Sequence, residues 1–580
     1  MGDDGAGSTG TIRRGERGET MKPLYEVDPN LLANLKRHLD DELYRYAEEK
    51  LASFYEFCLT DVDRRAVHTD REGQPRLIKY DRFGNDISEV WVNEGYVQTA
   101  KQTYETGIVG YVHKPIPELG RKGNYMYSYA QGYILSQAEP GFYCPVTLTM
   151  ATAYVLEHFA DDELKARYLP HVTSTGEVEL YEGATFLTER QGGSDVGANA
   201  VRAVPCGDHY KLYGEKYFAS NAGRCGVALV LARIDGSGPG TKGLSLFLVP
   251  WRKEDGTLNG ISIRRLKDKL GVRAVPSAEV VFDGAEAYVV GDPRKGFYYM
   301  MEALNLSRVC NAVASVGIMK RALEEAKQYA ERRTAFGHVL TDYPMVRETL
   351  ANLTARQEVE TSACFDMIAL FDRVMAAPHE ASEAEKAWLR LLIALLKMRT
   401  AEEAIAFSHE AIEMHGGNGY IEDFVTPRLL RDAQVLTVWE GTANILALEV
   451  LRLMRKYRIH ERFAAEMQER LERLAADVKP LARPVEEGLK EWGAALARLN
   501  GQSEEVQTFH AKAIANRMCD LYLSIIALER GQEDERNRLI AELFLRHVWE
   551  RGLVDERMTS VREFDLIVRC KGASAPLAHS

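Results

Sequence analysis

The apolar positions of this chain change period twice. From Pro29 to about Val172 they recur at spacings of three and four, most regularly in Leu31–Phe57 and Met150–Leu169, which predicts amphipathic helices. A polar, turn-rich insertion at Asp81–Asp86, with RFGND at its centre, predicts a short hairpin between them. Near Tyr181 the period shortens. Ala228–Ala232, Leu244–Val249 and Glu279–Phe282 are short and β-branched or alternating, and Gly207-Asp208, Gly236–Gly243 and Asp255-Gly256 punctuate them, as in a β-domain. At Gly296 the helical period returns. Phe297–Arg333, Met345–Met375 and Ser382–His415 each predict a helix on the order of 45–55 Å. With Thr442–Tyr457 they suggest a four-helix bundle, and a further helical unit follows.

The expected class is therefore α+β, mostly helical. The expected units are a disordered leader over 1–20, an N-terminal helical domain over 21–178, a barrel-like middle β-domain over 179–294, a C-terminal four-helix bundle over 295–457 and an added helical domain over 458–580. The leader is Gly-rich and polar, without an apolar run, and its acidic residues do not fit a transit peptide.

A length of 580 residues accommodates these units, and 46% apolar with 27% charged residues is an ordinary globular balance. Lys and Arg number 73 against 85 Asp and Glu, so a broad basic surface for nucleic acid is disfavoured. The added domain is mixed in charge, with 17 basic and 21 acidic residues over 459–570. Apolar runs such as Leu391–Leu396 fall far short of the ~18 residues of a membrane span. Eight cysteines without a CxxC pair fit a reducing compartment, and a cytoplasmic location is expected. No metal is expected: His409 and His415 are six positions apart, about 600° of helix, so they face different ways.

Gly238–Gly243 matches GxGxxG by letter. A strand follows it, rather than a helix, so it reads as a hairpin loop. Three other stretches carry more chemistry. Phe186–Val196 (FLTERQGGSDV) is a strand leading into a loop with two adjacent glycines and a row of small donors, which lets backbone N–H groups and hydroxyls approach a flat, acceptor-rich ring or a phosphate; a plain surface loop has the same composition. Lys216–Asn221 (KYFASN) sets aromatics beside a hydroxyl and an amide, suited to a heterocycle or to an ordinary core strand. In Arg431–Asn444 (RDAQVLTVWEGTAN), Glu440 ends an apolar run, Gly441 permits close backbone approach and Thr442 is a natural N-cap. The helix N-terminus favours the charged carboxylate and an apolar site opposes it; an exposed acid near a helix start is the plain alternative.

Taken together with an R-x-x-FG joint (Arg333, Phe336, Gly337) and GGNGY at Gly416–Tyr420, these stretches resemble, in order and spacing over about residues 30–455, the acyl-CoA dehydrogenase flavoprotein family. Cys144–Thr149, the RLKDKLG at 265–271 and the added C-terminal domain are similar to its AidB-like branch of long bacterial members.

That resemblance implies FAD between the β-domain and the bundle, and oxidation of the Cα–Cβ bond of an acyl-CoA thioester. By position it implies that Phe186, Thr188, Gly193, Ser194 and Ser220 meet the flavin region, and that Phe218 covers the ring in place of a frequent Trp. Thr442 and Asn444 would also contact FAD. Arg333, Phe336, Gly416 and Gly417 would hold the pyrophosphate and adenine end of FAD from a neighbouring subunit, so a homo-oligomer (dimer or dimer of dimers) is implied. Ser194, Asn305, Arg308 and Gly441 would lie on the substrate side. Glu440 matches the catalytic base. Some members carry the base just before the Arg matched by Arg308, where this chain has Ser307, which cannot serve. Two positions depart from the family: Pro344 replaces a frequent Gln, and Glu413 stands before the GG turn, where it is expected to point away from a pyrophosphate. The implied partners are acyl-CoA and an electron-transfer flavoprotein. The alternative is an AidB-like, DNA-associated alkylation-response flavoprotein, which would need a basic patch such as Arg536, Arg538, Arg546, Arg551 and Arg557. In a third reading the added domain is a membrane-surface or oligomerisation module, although Phe544, Trp549 and Leu553 serve equally as core.

Overall fold

A computed structural model of the chain describes residues 23–378, 380–550 and 557–571. The predicted leader, Arg551 and Leu553 lie outside the described residues.

The N-terminal domain is helical, and its one substantial interruption is the predicted hairpin, Arg76–Tyr80 antiparallel to Asp86–Trp91. Helix Tyr125–Ser136 is buried at every position, because it lies between its own domain and the bundle. Its first N–H groups are received by Asp372 of the bundle, at 2.6 Å from Tyr125 and 2.8 Å from Met126. A carboxylate satisfies the open donors of a helix start that water cannot reach. Helix Pro140–Phe159 follows; it buries Thr147 and leaves Cys144 partly accessible.

The middle domain is a closed β-layer. His209–Ser220 pairs with Ser277–Val289 and with Arg202–Cys206, which reaches Val227–Ile234 and then Leu244–Pro250; that strand returns to Ser277–Val289 and closes the ring. Gly183–Phe186 and Ile261–Leu266 are added at its margins. The strands that form the ring's wall, such as Val227–Ile234 and Leu244–Pro250, are almost wholly buried, which is why their sequence reads as apolar runs. Gly238–Gly243 joins this antiparallel pair, as the following strand predicts.

The bundle helices are Gly296–Arg332, Pro344–Ala376, Glu383–His415 and Ala443–Tyr457. Pro344 occupies the first helical position, where its missing N–H costs nothing. Ser382 and Glu385 form a reciprocal capping box. Thr442 occupies the N-cap position, yet its hydroxyl makes no cap hydrogen bond; the expected capping role is corrected to a backbone one.

The added unit consists mainly of Ile459–Glu472, Arg483–Leu499, Glu504–Arg530 and Glu535–Trp549, and it packs on the outer face of the bundle. Arg536 grips Glu358 through two bonds of 2.8 and 2.6 Å, and Arg399 reaches Asp520 at 2.6 Å. Phe544 is core, and the Trp549 ring lies where a Cβ on Gly488 would collide with it. Among the described residues no helix is long and apolar enough to cross a membrane.

Candidate active site

Between helices Thr426–Leu436 and Ala443–Tyr457 the chain makes a tight reversal. Glu440 adopts φ 60° and Gly441 φ 104°, two successive residues with positive φ. Two cations from different bundle helices hold this reversal. Arg308 Nε donates to the Glu440 carbonyl at 3.0 Å, and Lys397 Nζ donates to the Gly441 carbonyl at 2.7 Å. The Glu440 residue is half-buried, but its Oε2 is shut off from solvent and has no hydrogen-bond partner among the described residues. Burial pushes its carboxyl up to about 7, against the opposing pull of Arg308 and Lys397. Burial therefore prevails over the two cations, and the group sits where a carboxylate base works near neutral pH.

Opposite this reversal lies the rim of the β-layer. The strand Gly183–Phe186 runs into the loop holding Thr188, and that loop is stapled from beneath. Glu189 accepts from the N–H groups of Ala200 and Val201 and from Lys216 Nζ at 2.8 Å, with both charged side chains buried. Lys216 also donates to the Leu187 carbonyl, at 3.2 Å. Within TE-x-x-x-GSD and K-x-F-x-S-N, the Glu and Lys are thus the frame. Thr188, Ser194 and Phe218 are left outward-facing, and Phe218 is 53% exposed. Gly193 is required here, since a Cβ would lie 2.7 Å from Thr188 Oγ1. Ser220 meets Ser277 at 3.1 Å, and Ser277 lies 3.4 Å from the buried ammonium of Lys269. Cys144 is within electrostatic reach of both Lys269 and Glu440, so the β-rim and the bundle reversal face one region. The RLKDKLG segment is anchored there by its backbone. Val272 N–H donates to Asp432 of the RDA motif at 2.6 Å, and a Cβ on Gly271 would strike the Arg431 carbonyl.

The predicted site residues fall into two groups. Thr188, Gly193, Ser194, Phe218, Ser220, Asn305, Arg308, Glu440, Gly441, Thr442 and Asn444 lie on the β-rim or about the reversal. Phe186 shares the strand, but its side chain is wholly in the core, so only its backbone faces the rim. Asn305 is buried and accepts from Arg308 at 3.3 Å. Arg333, Phe336, Gly416 and Gly417 form a separate group at the far end of helix Gly296–Arg332, about 37 Å along it from Arg308. All four are exposed, Phe336 at 96%, and a Cβ on Gly416 or Gly417 would meet nothing. Glu413 points outward as expected, beside His409 at 3.4 Å.

Lys397 and Cys310 act on Glu440 without having been singled out by sequence, and Cys144, named only as part of a branch-specific stretch, does so too. For Lys397 a signal was present: one cation inside the run Leu391–Met398. Two cavities, one of about 590 Å³ along Met454, Trp492 and Ile514 and one of about 250 Å³ at Asp70 and Arg428, lie elsewhere and do not include Glu440.

Residues 294–454 match the model of the acyl-CoA dehydrogenase C-terminal domain, and 184–285 match that of its middle domain. Acyl-CoA dehydrogenase family member 11 of Caenorhabditis elegans is 31% identical over 565 residues, spanning 93% of this chain and 90% of its own. The chain belongs to the acyl-CoA dehydrogenase family.

It is a flavoprotein oxidoreductase of that family, with FAD as cofactor. Residues 20–176 further match the N-terminal domain of the adaptive response protein AidB. The putative acyl-CoA dehydrogenase AidB of Escherichia coli is 31% identical over 391 residues, covering 66% of this chain and 69% of its own. The crystal structure of C. elegans ACDH-11 in complex with C11-CoA superposes with a TM-score of 0.83 at 28% identity, covering 95% of this chain and 98% of that one. The chain's own residues suit a flavin. Among the described residues the hydroxyls of Thr188, Ser194 and Thr442 make no hydrogen bond, the Phe218 ring is half exposed with the Lys267 ammonium 4.9 Å from its centroid, and Glu440 Oε2 is an orphaned polar atom.

Proposed function

We propose that this protein performs the α,β-dehydrogenation of an acyl-CoA thioester to the trans-2-enoyl-CoA, with Glu440 as base and an electron-transfer flavoprotein as electron acceptor. The observation that carries this reading is the Glu440 carboxylate, sealed at one oxygen, raised to about 7 and set on a reversal that Arg308 and Lys397 clamp from two bundle helices. Bound FAD supplies the acceptor for the hydride that leaves Cβ. Glu440 takes the proton from Cα. Its own N–H has no acceptor among the described residues and is free to donate to the thioester carbonyl, which acidifies that proton. Thr188 and Ser220 would hold the flavin by hydrogen bonds, and Phe218 would cover it against water. The complex named for the C. elegans relative, with C11-CoA, supports an acyl-CoA as substrate class.

The exposed group of Arg333, Phe336, Gly416 and Gly417 lies too far from Glu440 to serve the same cofactor ring within one chain. It is suited to the adenine end of FAD bound by a neighbouring copy, which makes the working form a homo-oligomer.

Purified protein should be yellow, and anaerobic addition of an acyl-CoA should bleach it. Glu440→Gln should retain FAD and abolish bleaching; a variant that bleaches at the wild-type rate removes Glu440 from the reaction.

The match to the AidB N-terminal domain favours a second reading, a DNA-associated role. Two members of its proposed basic patch are paired with carboxylates. Arg536 is held by Glu358, and Arg557 pairs with Glu542 at 3.0 Å. Salt-sensitive duplex binding at physiological ionic strength would establish that role.

A further inference from the structure

Lys397 lies in the middle of helix Glu383–His415, within the apolar run Leu391–Met398, and is 1% exposed. Two other buried lysines are matched by carboxylates, Lys216 by Glu189 at 2.8 Å and Lys320 by Glu324 at 3.0 Å, whereas Lys269 donates to the Val272 and Val275 carbonyls at 2.8 and 2.6 Å. Lys397 has no such ion pair among the described residues, and its ammonium donates to the Gly441 carbonyl at 2.7 Å. An ammonium taken out of water without a paired carboxylate is expensive, and a methionine would fill the same space. The charge must therefore act at its far end. There the Arg308 guanidinium already holds the preceding carbonyl, that of Glu440, at 3.0 Å. Two successive carbonyls of a reversal with φ 60° and 104° are thus pinned from two helices, Gly296–Arg332 and Glu383–His415. A backbone of this kind persists only where its surroundings over-determine it.

We propose that Lys397 is a positioning residue for the base: by clamping the Gly441 carbonyl, opposite Arg308, it keeps the Glu440 carboxylate turned toward the substrate region and places a second cation in its field. This rests on the reading of Glu440 as the proton acceptor.

The charged and titratable groups about this pair come from three directions. Arg308 and Cys310 face Glu440 from the first bundle helix, Cys144 from helix Pro140–Phe159, and Lys397 from the third bundle helix. Arg308, Glu440 and Glu402 act on Lys397 itself. Burial pushes Lys397 down to about 7, and Glu440 pulls it back toward its charged form. A cation at this place lowers the proton affinity of Glu440, so its removal raises that affinity.

The test compares holoenzymes of wild type, Lys397→Met, Lys397→Gln and Lys397→Arg by anaerobic stopped-flow flavin reduction across pH. Lys397→Met should reduce roughly 10- to 100-fold more slowly at its plateau, as for a displaced reacting group. Its acid limb should move upward by about one pH unit. FAD content and acyl-CoA affinity should stay within about twofold, which a KM effect alone would not produce. Lys397→Arg should restore part of both the rate and the limb. Should Lys397→Met lose FAD or fail to fold, Lys397→Gln decides by the same two readouts. A neutral variant with wild-type rate and unmoved limb overturns the proposal, as does one whose only change is lower thermal stability. An infrared pH titration of the Glu440 carboxyl, taken as the difference from Glu440→Gln, must show the same upward move. It does so without turnover, and therefore separates failure of this clamp from failure of the dehydrogenase reading, which wild-type bleaching tests alone.

Discussion

Arg308 Nε donates to the main-chain carbonyl of Glu440 at 3.0 Å, across 132 positions of sequence. The arginine therefore braces the peptide that carries the carboxylate, while its charge holds the carboxyl lower than burial alone would place it. Substrate-side duty, implied for Arg308 by resemblance, is thus joined to a backbone one. Between them, burial and two cations leave Glu440 near 7, a balance that would be lost on either side by removing one contributor.

The first expectation concerns pH. With the Glu440 carboxyl near 7, the ionised base fraction of the free enzyme grows as pH rises through neutrality and falls below it. The second-order rate of flavin reduction at low acyl-CoA should therefore rise tenfold per pH unit on its acid side and level off above about 7. A profile flat between pH 5.5 and 8 excludes this assignment.

Gly441 is the second. At φ 104° a side chain is strained, and a Cβ would sit 3.4 Å from Ile445 Cγ2. Gly441→Ala should cost about 1–3 kcal/mol of stability and turn the Glu440 peptide, so bleaching should slow sharply. Denaturant unfolding and flavin reduction measured on one preparation check both effects.

Lys216 beneath the Thr188 loop gives the third. Lys216→Met leaves Glu189 buried and uncompensated, a loss of about 3–5 kcal/mol. Replacing both partners, with Glu189→Gln added, should recover a large part of it. Chemical denaturation of the wild type and the two variants decides; equal stability of the single and double variants would show that the pair is not coupled.

Glu157 supplies an acid-stability test. Burial raises its carboxyl, but His113 and Lys122 outweigh this and hold it at about 2, against an ordinary value of 4.5. A depressed carboxyl stabilises the fold above its unfolded value and loses that contribution as pH falls from about 4.5 toward 2. The melting temperature of Glu157→Gln should lie below wild type at pH 7 and converge with it near pH 2. A constant gap would contradict the linkage.

The exposed Arg333–Phe336 hairpin gives a last prediction. If it holds FAD of a neighbouring copy, Arg333→Ala should weaken FAD retention at least about tenfold, the loss of one charge-assisted hydrogen bond, while leaving the protomer's melting temperature nearly unchanged. Equilibrium dialysis of FAD, together with sedimentation of the holoprotein, measures it. Unaltered retention removes these residues from the cofactor site.

Much of the architecture was legible without coordinates, because helical and strand periods are local consequences of which face must be buried. The three long helices, the hairpin near Asp81 and the change of period near Tyr181 are of this kind. Motif order placed Glu440 at a helix start and the Thr188 loop after a strand. The roles inside the motifs were not readable this way. Glu189 and Lys216 carry the most prominent charges of their stretches, yet they face inward and frame the loop. Thr442 reads as a side-chain cap and is not one. Only the tertiary structure decided that burial prevails over opposing charge at Glu440, because that sum runs over Arg308 and Lys397, which lie 132 and 43 positions away in the chain. Period is a property of neighbours along the backbone; proton affinity is a property of neighbours in space.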